Sequence, residues 1–265
     1  MGFEYLTNVP LAQARKEYLE RLVSGGFGSK TETIPVFESC GRVTAKAVYA
    51  HICAPHYAAS AMDGVAVSAK ETFGATETTP VTLKPDQFLV LDTGDPIPED
   101  KDAVIMVEDI VKNGDGSITI HAAAAPWQHI RQIGEDICAG EMILPSHMTV
   151  SPAAIGAMIA GGVLEIEVIR KPVVGIIPTG DEIIPPCTDP KPGDILEFNG
   201  SIFSAMVRSW GAEAVVYPIV PDQFDQIKEM VVKAADACDM VILNAGSSAG
   251  REDFSARVIR ELGEV

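Results

Sequence analysis

The sequence predicts an α/β protein whose N-terminal α/β domain is interrupted by a β-rich domain. After Lys171-Pro172, apolar runs of strand length alternate with amphipathic segments of helix length, which is typical of a parallel sheet with both faces covered. Residues 51–136 instead carry short apolar runs broken by turn residues, as in small all-β domains. Helix and strand patterns flank that region on both sides. We therefore expect three domains: 1–50 together with 137–170, then the insertion 51–136, and then 171–265.

The flanking segments predict the N-terminal domain. Residues 10–23 place apolar side chains on one helical face, and Pro10 suits a first helical turn. Residues 151–162 form a second predicted helix with Ser151 as its N-cap, Pro152 at the first position and glycines at the end. A strand is predicted at 163–169. This second helix could pack back onto the first, which would make the β-rich region an insertion.

Turn signals and apolar runs define the β-rich region. Its strand-like runs are VTL, FLVL, AVIM and SITI, and the turn sequence NGDG at 113–116 separates two strand-like segments.

The C-terminal domain is predicted to hold three parallel strands and three helices. The strands are expected at 173–177, 214–219 and 240–243, and the helices near 201–210, 224–235 and 254–262. Ligands of such sheets bind beyond the carboxyl ends of the strands. Each of these ends is followed by an acidic loop, so we expect the three loops to meet at one rim.

The predicted rim carries oxygen ligands. Thr179, Gly180, Asp181 and Glu182 follow the first strand, Asp222 follows the second, and Gly246, Ser247, Ser248 and Asp253 follow the third. Carboxylates without neighbouring His or Cys suit Mg²⁺ bridging to an anionic ligand, and Gly246–Ser248 could hold a phosphate through backbone amides. The alternative is that the acids cap helices or shape turns and that the glycine-rich loop is a plain turn.

Composition narrows the class of function. The chain has 265 residues, 47% of them hydrophobic, and a net charge of −17 from 37 acids and 20 bases. The sequence has no run of Lys or Arg residues that could bind along a phosphate backbone, so nucleic acid is not an expected partner. The N-terminus lacks a signal pattern and the chain lacks a long apolar segment, which predicts no membrane insertion. Five cysteines without a C-x-x-C pair favour reduced thiols in a cytoplasm.

Several common sites are disfavoured. The segment from His51 through Cys53 to His56 offers three candidate zinc ligands but no second cluster. The Walker A and G-x-G-x-x-G patterns are missing, which disfavours P-loop nucleotidases and standard dinucleotide-binding proteins.

A set of ordered motifs resembles the molybdopterin molybdotransferase family (MoeA and the gephyrin E domain). The motifs are SAMDGVAV at 60–67, TGDPIPE at 93–99, AVIMVE at 103–108, IGED at 133–136, PTGDE at 178–182 and the helix that starts at Asn199. The resemblance implies a MoeA-like fold whose last domain is a partial three-layer, MogA-like molybdopterin-binding domain. It also implies a transferase that inserts molybdate into molybdopterin, using adenylylated molybdopterin as the substrate and Mg²⁺ as the metal ion. The resemblance further implies that this transferase is a homodimer.

The resemblance also assigns residues. The catalytic residues it implies are Asp63, Thr93, Asp136, Glu182, Asp222 and Asp253. Cofactor binding would involve Thr179, Gly180, Asp181, Asn199, Gly246, Ser247 and Ser248, and the metal ligands would be Glu182, Asp222 and Asp253. This chain departs from the family pattern at Glu197, where an Asp is usual, and in the loop after the third strand, where the family usually has Gly-Gly and this chain has Asn244-Ala245-Gly246-Ser247.

Two alternatives remain at this point. One is a non-catalytic molybdopterin-binding or scaffold paralogue, and the other is an unrelated α/β protein that binds a sugar phosphate or nucleotide. The chain ends at Val265, before the family's lysine-bearing segment and C-terminal β domain. We therefore expect the 265-residue chain alone to fold but to turn over poorly, since cationic stabilisation of developing charge is worth a few kcal/mol.

Overall fold

A computed structural model describes residues 9–244 and 254–263, which divide into two compact units. Residues 169–265 and the N-terminal segment 1–32 form the α/β unit, and residues 33–168 form the β-rich unit. Of the predicted site residues, Gly246, Ser247, Ser248 and Asp253 lie outside the described residues.

The α/β unit is built around a parallel sheet. Its described strands are β13 (Val173–Pro178), β16 (Glu213–Val216) and β17 (Met240–Asn244), in the order β16-β13-β17. Strand β13 lies in the centre, pairing Val174 with Ala214 on one side and with Met240 on the other. Its residues Val174 through Pro178 are all buried, which explains the continuous apolar run in the sequence.

Helices accompany these strands. They are α1 (Leu11–Ser24), α3 (Asn199–Ser209), α4 (Phe224–Ala237) and α5 (Ser255–Leu262). The core combines Ile177 and Val220 with Ile227 and Ala234 of α4 and Val258 of α5. Two short strands between β13 and β16 in the sequence, β14 (Ile183–Ile184) and β15 (Ile195–Leu196), pair with each other in parallel.

The β-rich unit consists of small antiparallel sheets. One three-stranded sheet has the order β6-β4-β7 and a second has the order β5-β9-β8. Their strands are β4 (Gly64–Val67), β5 (Val81–Leu83), β6 (Phe88–Leu91), β7 (Ala103–Met106), β8 (Ile110–Lys112) and β9 (Ile118–Ile120). A core cluster that includes Val65, Val67, Leu83 and Ile105 lies with them.

Short strand pairs and one helix complete this unit. The pairs are β1 (Thr31–Pro35) with β12 (Glu165–Ile169), β2 (Val48–Tyr49) with β11 (Met142–Leu144), and β3 (Ala59–Ser60) with β10 (Ile130–Arg131). Helix α2 (Pro152–Ala160) contributes the fully buried Met158 to a second core cluster. Short 3₁₀ turns occur at Val36–Glu38, Ala69–Thr72 and Val107–Asp109.

The structure confirms the mixed α/β and β fold class and most predicted elements. Ser151 caps α2 as predicted, since its side chain accepts a hydrogen bond from the Ala154 amide at 3.2 Å. The strand predicted at 214–219 is shorter, ending at Val216, two residues before Pro218, which has no amide hydrogen to donate. Helices α1 and α2 fall in different compact units. The division into three domains stays a prediction.

A membrane-crossing helix would need a long apolar stretch, and no helix of the described residues has one.

Candidate functional site

The carboxyl edge of the parallel sheet is formed around Thr179. Its amide and its Oγ1 both donate to the Asn244 carbonyl, at 3.0 and 3.2 Å, at the end of β17. On the other side Thr179 forms a parallel bridge with Val220, whose carbonyl accepts from the Gly180 amide at 3.1 Å. Thr179 is 3% exposed. Its hydroxyl is therefore bonded to the end of β17 and does not face solvent.

The next residues turn the chain away from the sheet. Gly180 has φ +142°, and a Cβ there would lie 2.7 Å from Cγ1 of Ile183, so this position requires glycine. Asp181 Oδ1 accepts a hydrogen bond from the Asp222 amide at 3.2 Å. The loops after β13 and β16 are thus tied to each other, as expected for loops that leave one edge of a parallel sheet.

An open cavity lies at this edge. Its volume is about 550 Å³, within the range of small-molecule sites. Gly180, Asp181 and Glu197 contribute to its polar part, and Tyr217 lies beside them. The remaining wall is rich in prolines, namely Pro178, Pro185, Pro186, Pro218 and Pro221. Proline fixes φ, so these walls lose little conformational freedom when a ligand binds.

Glu197 occupies the start of α3. Its Oε1 accepts from the Gly200 amide at 2.6 Å, where a helix terminus presents free donors and partial positive charge. A Cβ on Gly200 would lie 2.9 Å from Glu197 Oε2, so the glycine leaves room for the carboxylate. Asn199, the first residue of α3, is half-buried beside this contact. An anionic ligand at this terminus would compete with Glu197.

The predicted metal ligands are incompletely described. Glu182 is exposed, directly after Asp181, and Asp222 is half-buried at the same edge. Among residues 9–244 and 254–263, no group of three His, Cys, Asp or Glu side chains could hold a metal ion. The third predicted ligand, Asp253, lies outside that range, so the metal site stays a prediction.

In the β-rich unit, Asp63 and Thr93 are in direct contact. Asp63 Oδ1 accepts hydrogen bonds from the amide and from Oγ1 of Thr93, both at 2.7 Å. These bonds stabilise the ionised carboxylate, and the Oγ1 hydrogen bond contributes most to lowering the pKa of Asp63. The two residues are 30 positions apart in the sequence and both are exposed. The structure thus unites two of the six predicted catalytic residues.

Gly64 explains why glycine follows this aspartate. Strand β4 is central in its sheet, pairing Gly64 with Leu91 and with Met106. A Cβ on Gly64 would lie 2.0 Å from the Ile105 carbonyl oxygen. The close backbone approach fixes the start of the strand and therefore the position of Asp63.

Asp136 is paired with a cation that the sequence analysis missed. Arg131 Nη2 donates to Asp136 Oδ2 at 2.5 Å, and this bond is the main reason that the pKa of Arg131 is raised. Arg131 lies opposite Ala59 in the β10–β3 pair. Ala59 in turn precedes Asp63 by four residues in the sequence. The signal was present as an arginine five residues before Asp136 in the segment IRQIGED. Arg131 therefore places a positive charge next to one of the two predicted acids of this unit, Asp136.

Two family models match the chain, one in each region. Residues 9–162 match the MoeA N-terminal region (domain I and II), and residues 175–265 match a probable molybdopterin binding domain.

Curated relatives agree with these matches. A molybdopterin molybdenumtransferase from Haemophilus influenzae is 30% identical over 96% of this chain, and molybdopterin molybdenumtransferase 2 from Mycobacterium tuberculosis is 34% identical over 82%. The chain spans 65% and 58% of the lengths of these two relatives, less than two thirds of each.

Two solved structures of a molybdopterin biosynthesis MoeA protein from Pyrococcus horikoshii are similar in fold. One has a TM-score of 0.81 at 30% identity and covers 97% of this chain and 67% of that chain. The other has a TM-score of 0.71 at 32% identity and covers 83% of this chain and 62% of that one. This agreement of motifs, family models and fold excludes the unrelated sugar-phosphate or nucleotide-binding alternative, and the chain belongs to the MoeA family.

Proposed function

We propose that this chain takes part in molybdenum cofactor biosynthesis. It would bind adenylylated molybdopterin and insert molybdate into it in a Mg²⁺-dependent reaction. The observation that carries the proposal is the cavity at the carboxyl edge of the parallel sheet, bordered by Gly180, Asp181 and Glu197. It lies in the part of the chain that matches a molybdopterin binding domain.

The proposed ligand suits the cavity in size and rigidity. A pterin is a flat, partly apolar ring system, and the proline-rich wall offers a fixed surface for such a group. The anionic part of the ligand requires positive partners, which the acidic residues at this edge do not supply. Backbone amides at the start of α3 are one source, provided that Glu197 releases the Gly200 amide.

Mg²⁺ fits the carboxylates on chemical grounds. Glu182 and Asp222 supply hard oxygen donors, and Asp253 is the proposed third ligand. The bound ion would supply positive charge between these acids and the anionic substrates.

In the β-rich unit we propose that Asp63 and Thr93 act as one preformed group. The double hydrogen bond keeps the Asp63 carboxylate ionised and fixes its direction. Arg131 beside Asp136 offers the cation that an oxyanion such as molybdate would contact. We propose further that the protein is a homodimer in the cytoplasm, as the resemblance and the cysteine pattern predict.

Calorimetric titration of adenylylated molybdopterin in the presence of Mg²⁺ tests the proposal. We expect saturable binding by the unmodified chain and at least about tenfold weaker binding by the double variant Asp63→Ala, Glu182→Ala, because the variant removes a proposed Mg²⁺ ligand together with a proposed substrate contact, and a loss of about 1.4 kcal/mol is already tenfold. Glu229→Gln is the matched control, since Glu229 is an exposed acid on α4 away from the cavity. Equal affinity in the double variant would refute the site.

Adding a cofactor reconstitution assay to the titration separates the second candidate, a molybdopterin-binding or scaffold protein without turnover. Binding that is intact, combined with no molybdate-dependent formation of active cofactor in a reconstitution assay, would favour the scaffold.

A further inference from the structure

Two cysteines of the β-rich unit lie next to an isolated antiparallel β-bridge, one on each chain segment. Ala54 and Ile137 form an antiparallel bridge and exchange both backbone hydrogen bonds, at 2.8 and 3.0 Å. The residues next to such a bridge, one on each chain segment, form a non-hydrogen-bonded pair with Cα atoms about 4.5 Å apart. Those residues are Cys53 and Cys138. They are 85 positions apart, so the sequence pattern gave no sign of the pair.

Both sulfurs border the same small volume. A Cβ built on Gly134 would lie 3.1 Å from Sγ of Cys138 and 3.5 Å from Sγ of Cys53. The thiol of Cys138 donates to the Gly134 carbonyl at 3.4 Å, and the sulfur of Cys53 accepts from the Ala139 amide, also at 3.4 Å. The side chains therefore project to one side of the strand pair, as opposed residues do.

The other cysteines do not share this arrangement. Cys40 and Cys187 are exposed, and Cys238 lies 3.6 Å from the hydroxyl of Tyr217 in the α/β unit. All five are free thiols in the structure. The Cα separation expected for the opposed pair falls within the range that a disulfide spans.

We propose that Cys53 and Cys138 form a reversible modification site. The pair reacts with low-molecular-weight disulfides and then forms an intramolecular disulfide. Cys138 is exposed and meets the reagent first, whereas Cys53 is half-buried and resolves the product.

The chemistry balances in two exchange steps. The Cys138 thiolate attacks one sulfur of the reagent RSSR, so that a Cys138–SR bond forms and RS⁻ leaves. The Cys53 thiolate then attacks Cys138 Sγ, the Cys53–Cys138 bond forms, and the second RS⁻ leaves. The two protons lost by the cysteines end on the two reagent thiols. The protein dithiol is oxidised by two electrons, and the reagent disulfide is reduced by two.

Oxidation would act on the segment that carries Asp136. The amides of Gly134 and Asp136 donate to the carbonyls of Pro55 and Ala54, which anchors this segment beside Cys53. Disulfide formation removes the thiol hydrogen that Cys138 donates to Gly134. The segment then loses this internal hydrogen bond while its backbone bonds to Ala54 and Pro55 stay in place, so the position of the Asp136 carboxylate becomes sensitive to the redox state.

Oxidised glutathione tests the proposal on the folded, unmodified chain. After incubation, free thiols are blocked by alkylation and the peptides are mapped by mass spectrometry without reduction. We expect the peptides that contain Cys53 and Cys138 to be joined in most chains, and to separate after dithiothreitol. Persistent mixed disulfides on Cys138, a joined pair that involves another cysteine, or no reaction of either thiol would each overturn the proposal.

Two variants and a second reagent sharpen the test. Cys53→Ser should trap a stable glutathione adduct on Cys138, because the resolving thiol is missing, whereas Cys187→Ser should behave as the unmodified chain. Phenylarsine oxide, which bridges paired thiols, should bind the unmodified chain once and should lose at least tenfold in affinity in Cys138→Ser. Unchanged arsenical binding in that variant would also overturn the pairing.

Discussion

The two Thr-Gly-Asp loops have the same sequence and similar hydrogen bonding but different functions in the fold. In both, the threonine donates its amide and its Oγ1 to a single oxygen atom, and the glycine has a positive φ. Thr179 donates to a backbone carbonyl at a buried sheet edge, whereas Thr93 donates to the exposed carboxylate of Asp63. A threonine followed by glycine can thus close a sheet edge or hold a functional group, depending on the acceptor that it meets.

The loops therefore differ in what a substitution should change. At Thr179 the hydroxyl supports the α/β sheet, and the residues open to the cavity are its neighbours Gly180 and Asp181. At Thr93 the hydroxyl acts on the ionisation of an acid that is itself a predicted catalytic residue. Matched substitutions in the two loops measure this difference directly.

The largest expected effect is on the two glycines. In Gly180→Ala the new Cβ would meet Ile183 and adopt an unfavourable φ, so we expect the free energy of unfolding to fall by about 2–4 kcal/mol. Gly94 has φ +95°, but a Cβ at this position would have no atom within 4 Å, so Gly94→Ala should lose about 1–2 kcal/mol from strain alone. Urea unfolding measures both, and hydrogen exchange assigns each loss to its unit. Equal losses would show that packing around Gly180 relaxes freely.

A second carboxylate in the α/β unit provides a comparison with Asp63. The Val173 amide, Lys30 and Arg170 all donate to Asp239, and the Val173 bond is the main cause that lowers its pKa to about 2. A lowered pKa in the folded state stabilises the protein above the unfolded value near 3.8, and this contribution is lost as the pH falls toward 2.

Removing this charge should therefore have a pH-dependent effect. At pH 7, Asp239→Asn should lower the free energy of unfolding by about 1–2 kcal/mol, after allowance for solvent screening, and the difference from the unmodified chain should shrink between pH 4 and pH 2. Asp236→Asn, at an exposed position of α4, is the control and should change little. A difference that is independent of pH would show that the ion pairs do not cause the stabilisation.

The two loops also show what a sequence can and cannot predict. The buried run before Thr179 follows from local pattern, and the parallel sheet brings Asp181 and Asp222, from the loops after the first two strands, to one edge as expected. The contact of Thr93 with Asp63 joins residues 30 positions apart, and no local pattern contains it. The opposition of Cys53 and Cys138 likewise depends on the antiparallel pairing of two segments that are far apart in the sequence. The pairing of Arg131 with Asp136 is different, since these residues are five positions apart and a local pattern could have indicated it. For Asp63 and Thr93, family resemblance supplied the residues, and the structure supplied their bond.

A smaller effect is expected at the buried threonine. Thr179→Val keeps the amide bond to Asn244 and removes the hydroxyl bond, so the free energy of unfolding should fall by about 0.5–1.5 kcal/mol. Thr179→Ser keeps the hydroxyl and is the control. The binding free energy of adenylylated molybdopterin should change by no more than the free energy of unfolding does. A selective loss of affinity for adenylylated molybdopterin would instead mean that the hydroxyl leaves Asn244 to contact the ligand.

The smallest effect on stability is expected at Thr93, where the change should appear in ionisation. In Thr93→Val the Asp63 carboxylate keeps the amide bond but loses the hydroxyl bond that contributes most to lowering its pKa, so that pKa should rise toward 3.8. Because the folded-state pKa is lowered, the stabilisation of this loop is complete above the ordinary pKa and is lost as the pH falls through the lowered value. Titration of the Asp63 carboxyl resonance by NMR measures the shift in the unmodified chain, in Thr93→Val and in Thr93→Ser. We expect Thr93→Ser to match the unmodified chain, since serine retains the donor. If all three chains give the same pKa, then the hydroxyl does not hold the carboxylate in its ionised form, and the Thr93 loop differs from the Thr179 loop in exposure alone.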